Sequence, residues 1–265
     1  IASQSTEITD VISAAVDIDF NEEDLDNIDK VKLNILLAKL EVNAKHNGVF
    51  KDSYNALLLK VADMINENIK SFVGNAGNKI QTIVTASDVL DYSQNIIAVL
   101  NSALDTVKAL KNAEFKDINT DQLIQFINVL YINSKIANNA FKESFNALNV
   151  YIINEVNSQI AKFVGTDLAT NILTYDGNTN IGSDYEYVQI IVKRAVSAYK
   201  AIPEGGELED IDSDTLDALL RALNILDYTK PAYNALNNKL ANVVTENINK
   251  ITGNSVALIT AVKDL

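Results

Sequence analysis

The chain has 265 residues, with 22 basic against 35 acidic side chains and a formal net charge of −13. That balance excludes DNA and RNA as favoured partners, because a phosphate backbone attracts a basic face, and it disfavours an anionic membrane surface. Cysteine is absent, which excludes disulfides, zinc–thiolate sites and thiol nucleophiles.

Only 2 prolines (Pro203 and Pro231) and 9 glycines punctuate the chain, and Ala, Leu, Ile, Asn and Lys abound. This composition favours helix over strand. At 48% hydrophobic the chain can bury a sizeable core, in one large domain or several small ones. No apolar run reaches the roughly eighteen residues that a membrane-spanning helix needs.

Residues 1–16 come first. Their stretch Thr6–Val16 sits just before an acidic lead, where the end of a helix belongs. The lead is Asp17-Ile18-Asp19-Phe20-Asn21, and it recurs as Asp117-Ile118-Asn119-Thr120-Asp121 and as Asp210-Ile211-Asp212-Ser213-Asp214. Asx, Ser and Thr side chains accept from the unpaired N–H groups of a helix start, and acidic groups suit its positive end. An apolar helical stretch follows, carrying Leu25, Ile28, Leu33, Leu36, Leu37 and Leu40 in the first unit.

The clearest helix comes next. It opens on Tyr54-Asn55-Ala56-Leu57, which recurs as Phe145-Asn146-Ala147-Leu148 and Tyr233-Asn234-Ala235-Leu236. Apolar residues then recur at three- and four-residue steps, the mark of one helix face: Leu58, Val61, Ile65, Ile69 and Phe72 in the first copy. Ile152, Val156, Ile160 and Phe163 match them in the second copy, and Leu240, Val244, Ile248 and Ile251 in the third. Asn66, Asn157 and Thr245 fall between these positions and read as part of the wet face. Gly74, Gly165 and Gly253 stand where a left-handed cap would end each helix.

A third helical stretch runs from about Thr85 to Leu110 in the first unit. In the second unit the loop 175–182 interrupts it; it resumes near Tyr187 and ends at Pro203-Glu204-Gly205-Gly206. The expected fold is therefore all-α, three tandem three-helix repeats of roughly 90 residues. Residues 1–16 are the end of a preceding repeat or an assembly helix, 17–113 and 114–206 form the first two repeats, and 207–265 form an incomplete third. Leu258–Leu265 lines up with Ile83–Leu90, so the units are out of phase with the ends of the sequence. Two expectations follow: a section of a longer array, or head-to-tail completion of one molecule by the next, as a filament or a ring.

No catalytic constellation stands out. His46, the only histidine, lies in a polar helix end, where a cation ordinarily complements the dipole. Asp176, Asn178, Asn180, Asp184 and Glu186 alternate along a Gly-containing loop, as oxygen ligands for calcium do. The pattern departs from an EF-hand at Ile181, where glycine belongs, and at Tyr187, where glutamate belongs. A solvated Asx/Gly loop is the favoured reading. Gly74-Asn75-Ala76-Gly77-Asn78-Lys79 follows a helix, not a strand, and lacks the phosphate-loop signature. Tyr54, Phe145 and Tyr233 read as packing residues, and Asn55, Asn146 and Asn234 as hydrogen-bonding groups at contacts within or between units.

Phe115-Lys116-Asp117-Ile118 resembles the opening of surface-layer homology modules of bacterial surface proteins. The resemblance covers those residues alone, and no functional residue is carried over from it. The expected function is a non-enzymatic structural or scaffold protein without a cofactor, extracellular or at the cell surface, whose partner is itself or an adjacent repeat. The alternative is a repeat module that binds a protein, a glycan or calcium.

Overall fold

The computed structural model describes residues 2–18, 29–46, 48–81, 94, 96–101, 115–134, 141–181, 193, 196, 202 and 207–252. Among the described residues every regular element is helical, so the fold is all-α. The helices are α1 (Ala2–Val16), α2 (Lys30–His46), α3 (Lys51–Val73), α4 (Thr120–Ser134), α5 (Lys142–Val164), α6 (Ser213–Leu223) and α7 (Lys230–Thr252). Short 3-10 turns occupy Gly74–Gly77, Phe115–Asp117 and Leu208–Asp210. The chain forms two compact units: Ile1–Glu114 with Asp121–Leu148, and Phe115–Thr120 with Asn149–Leu265.

In the first unit α2 packs against α1 on one side and α3 on the other. Leu33, Leu36, Leu37 and Leu40 bury one stripe of α2, and Tyr54, Leu58, Val61, Ile65 and Ile69 bury the facing stripe of α3. α4 repeats the α2 pattern: Leu123, Phe126, Ile127 and Leu130 are buried at the same spacing. Each pattern closes on a buried asparagine, Asn43 or Asn133. Tyr131 of α4 tilts against Phe145, with ring centroids 5.5 Å apart.

In the second unit α6 packs on α7 through Leu219, Ala222 and Leu223. Leu226 is buried in the place that Asn43 and Asn133 hold after their own stripes. Phe115 meets Tyr151 of α5 edge to face at 5.8 Å. Thr229 is fully buried, and its hydroxyl donates to the carbonyls of Leu223 and Leu226, 2.7 and 3.1 Å away. That hydroxyl ties down the tight connection between α6 and α7.

Helix starts show where the acidic leads act. Asp212 accepts at Oδ1 from the N–H groups of Asp214 and Thr215, both at 3.0 Å. For α2 the cap is Asp29, whose Oδ1 accepts from Val31 and Lys32 at 2.8 and 3.1 Å. The Asp17–Asn21 lead falls outside the described residues from Asp19 onward. The segment before α4 matches the one before α6. A 3-10 turn puts Ile118 N–H 3.3 Å from the Phe115 carbonyl and Ile211 N–H 3.2 Å from the Leu208 carbonyl, and both isoleucines are buried.

α3, α5 and α7 are each 23 residues long, and the motif aromatic is the fourth residue of each. Gly74 and Gly165 end α3 and α5 with φ of +54° and +88°, where a side chain would be strained. Two expectations about these helices fail. Asn66 and Asn157 are buried rather than wet. Val244, Ile248 and Ile251, expected on a dry face, are exposed by 55%, 42% and 86%. The readings on Leu25, Ile28, Asp184, Glu186, Tyr187, Pro203–Gly206, Gly253 and Leu258–Leu265 fall outside the described residues. So does most of the stretch Thr85–Leu110, although Ile96, Val99 and Leu100 within it are buried.

Asn149, the eighth residue of α5, is fully buried, and neither its Oδ1 nor its Nδ2 meets a partner among the described residues. The eighth residue of α3 is Leu58, also fully buried. An unmatched amide costs its desolvation, so Asn149→Leu should stabilise the fold by about 1–2 kcal/mol. For a chain of this size that is a rise of roughly 2–6 °C in the thermal midpoint, read by circular dichroism. A fall in the midpoint would mean that the amide is matched by ordered water.

Candidate functional site

His46 ends α2 and is exposed; its Nδ1 lies 3.4 Å from Glu7 Oε1 of α1. Protonation would make this a surface ion pair between two helices, of the weak kind. Among the described residues no group of three or more His, Cys, Asp or Glu side chains converges as a metal site would.

Asp176, Asn178 and Asn180 are described; Asp184 and Glu186 are not. The Asp176 carboxylate turns back on its own loop. Its Oδ1 accepts from Asn178 N–H and its Oδ2 from the Asn178 side-chain amide, both at 2.9 Å, and its carbonyl accepts from Thr179 N–H at 3.0 Å. This is an Asx turn that uses both carboxylate oxygens. The loop is anchored to α5 by Asn154, which accepts from Tyr175 N–H at 2.8 Å and donates to the Tyr175 carbonyl at 2.7 Å. Tyr175 stacks edge-on against Tyr228 at 5.2 Å. Burial, then the neighbouring Tyr228, pushes the Tyr175 phenol above its ordinary pKa.

A recurring contact joins successive motif helices. On α3, Asn66 accepts at Oδ1 from the hydroxyl of Ser144, in the first turn of α5, at 2.6 Å, and both residues are buried. On α5, Asn157 occupies the place that Asn66 holds on α3, and its amide donates to the Tyr228 carbonyl, just before α7, at 3.0 Å. The same amide lies 3.3 Å from the Leu173 carbonyl. Further along, Lys239 of α7 sits over the Phe163 ring of α5, 5.5 Å from its centroid. α3 thus meets the first turn of α5 at Asn66, and α5 meets the residue pair just before α7 at Asn157.

The motif residues divide around this contact. Tyr54 and Phe145 are buried, while Tyr233 is half-buried. Asn146 is buried, Asn55 is half-buried and Asn234 is exposed. Ala147, Leu148, Ala235 and Leu236 are buried on the side of their helices that carries Ser144 and Lys239. Sequence reading passed over Asn66 and Asn157 because asparagine between apolar positions ordinarily marks a solvent face. The available signal was register: asparagine directly after Ile65 and directly after Val156, at matching places in two helices.

No protein-family model, curated protein or solved structure matches the chain. Among the described residues, no helix is long and apolar enough to cross a membrane.

Asn66→Ala should cost about 1–3 kcal/mol, since it strips the partner from the buried Ser144 hydroxyl, and Asn157→Ala about 0.5–1.5 kcal/mol for the hydrogen bond it loses. Thr245, the matching residue on α7, is half-buried beside exposed neighbours. Thr245→Ala should stay within about 0.5 kcal/mol. Urea denaturation of the three variants measures the difference; equal effects would remove the special role of the two asparagines.

Glu155 faces partly inward from α5. Burial pushes its carboxyl above the ordinary range, against the Tyr151 hydroxyl bonded to it and the Lys162 charge, which both lower it. The folded chain then holds this proton more tightly than the unfolded chain does. Stability is therefore lost as pH rises from the ordinary glutamate pKa through the raised one. Glu155→Gln should melt higher than the parent at about pH 7, with the gap closing towards about pH 4. Thermal melts across that range test the sign; a gap that widens in acid would reverse it.

Proposed function

We propose that this chain is a non-enzymatic structural scaffold, built from three helical repeats of roughly 90 residues, that works outside the cell or on its surface. The recurring asparagine contact carries the reading: α3 receives the start of α5 beside Asn66, and α5 receives the start of α7 beside Asn157. Equal helix lengths and the matched segments before α4 and α6 support it. Repeats that stack in this way bury a continuous core through nearest-neighbour contacts and build extended surfaces without a pocket.

The location rests on composition. An acidic surface, one methionine and no cysteine suit a protein exposed to solvent and oxidants. The alternative, a module that holds calcium on the loop after Asp176, is less favoured, because the loop has Ile181 where glycine belongs and Tyr187 where the closing glutamate belongs. Antibody against the folded chain should label intact, unpermeabilised source cells or detect the protein in their medium. Signal confined to permeabilised cells would sink the surface reading.

A further inference from the structure

The contact between successive motif helices has two sides. The receiving side is the C-terminal half of one helix: Ile65 and Ile69 on α3, and Val156, Ile160 and Phe163 on α5, all buried. The inserting side is the N-terminal face of the next: Ser144, Ala147 and Leu148 on α5, and Ala232, Ala235 and Leu236 on α7, also all buried.

Each side also occurs uncovered. On α7 the receiving positions are Val244, Ile248 and Ile251, exposed as given above. On α3 the inserting positions are Ser53, Ala56 and Leu57, of which Ser53 and Ala56 are exposed and Leu57 half-buried. Val49, one turn earlier, is 58% exposed. Lys60 is exposed at the place where Lys239 on α7 covers the Phe163 ring. The receiving positions of α7 are therefore bare and the inserting positions of α3 largely so, while their counterparts within the chain are covered and joined by the Asn66–Ser144 hydrogen bond and the Lys239–Phe163 contact.

We propose that the C-terminal half of α7 docks on the N-terminal face of α3 of a second copy of this chain, head to tail. The proposal rests on the repeat reading above, since register identifies the two faces as partners. Val244, Ile248 and Ile251 take the place of Val156, Ile160 and Phe163. Ser53, Ala56 and Leu57 take the place of Ser144, Ala147 and Leu148. Because the two faces differ, the contact is heterologous and leaves a bare face at each end of a dimer, so growth continues unless the rotation closes a ring. Apolar residues exposed on one helix face supply the drive, and the surrounding Asp52, Lys60, Glu246 and Lys250 keep the free molecule soluble.

The test is sedimentation of the full chain from about 1 μM to about 1 mM. The average mass should rise with concentration beyond that of a dimer, or settle at a closed ring. Ala56→Arg blocks the inserting face and Ile248→Arg blocks the receiving face; both sites are exposed, so the fold is retained, as circular dichroism would verify. Each variant alone should associate at least tenfold more weakly than the parent. An equimolar mixture of the two should form a one-to-one dimer and nothing larger, because one open face of each kind remains. A parent that stays monomeric, or association that neither variant weakens, overturns the proposal, whether the bare face of α7 is then covered by residues 253–265 or by another protein. The double-mutant cycle of Asn66→Ala and Ser144→Ala, inside the chain, separates the two readings. If the pair together lowers the thermal midpoint by less than the sum of the two single effects while the parent stays monomeric, the contact between α3 and α5 and the repeat reading survive and only self-docking fails. If the two effects simply add, the repeat reading itself falls.

Discussion

A buried amide costs its desolvation where it goes unmatched, as at Asn149, and ties two elements together where it finds a partner. Asn66 and Asn157 are two such amides, each seated among the branched aliphatic residues of a 23-residue helix. Asn66 finds its partner in the first turn of α5, a serine hydroxyl, and Asn157 finds one just before α7, a backbone carbonyl. The partners differ in chemistry and in register, since Ser144 directly precedes Phe145 whereas Tyr228 lies before α7 begins. What recurs is the demand for a polar partner, met both times near the start of the following helix. An aliphatic residue there would pack against many neighbours with little preference. The asparagine makes one register cheaper than the rest, as a lone polar residue does at a helix interface.

That constraint explains the Ala-Leu pair of the motif. Alanine lets two helix backbones approach, and leucine fills the space beside it. On α5 and α7 both residues are buried on the same side as the group that meets the preceding helix. The aromatic of the motif does a different job. Phe145 lies against Tyr131 of α4, and Tyr54 is fully buried in the first unit. On α5 the four consecutive residues thus look in two directions, Phe145 toward α4 and Ala147-Leu148 toward the side that carries Ser144. A strict recurrence over so short a stretch is what two such packing demands would produce.

Helix identity was legible in the sequence because burial follows the helical period. The stripe Leu33, Leu36, Leu37, Leu40 is buried as its spacing says. Gly74 and Gly165 adopt the positive φ that their positions after the last apolar residue imply. The exposure of Val244, Ile248 and Ile251 was not legible, because periodicity records which face a helix would bury and not whether anything is there to bury it. Nor was the burial of Asn66 and Asn157, since a polar residue reads as wet until its partner is located, and both partners lie on another helix. The cap of α2 was not legible for a related reason: Asp29 is one of several acidic residues before the helix, and only the backbone geometry beyond it shows that it caps.

The same asymmetry bears on the proposed docking of one copy on another. If every motif helix carried a buried asparagine with one fixed partner, any copy could dock on any other. The third helix departs from that pattern: Thr245 replaces the asparagine and is only half-buried. Threonine demands less of a partner than an amide, with one hydroxyl against two donors and an acceptor. A contact formed there is driven mainly by apolar area, and carries less penalty when it is open. Intramolecular contacts with an amide inside and an intermolecular contact with a hydroxyl at its edge would therefore separate in strength. The chain could fold first, through the stricter pairings, and associate afterwards through the looser one.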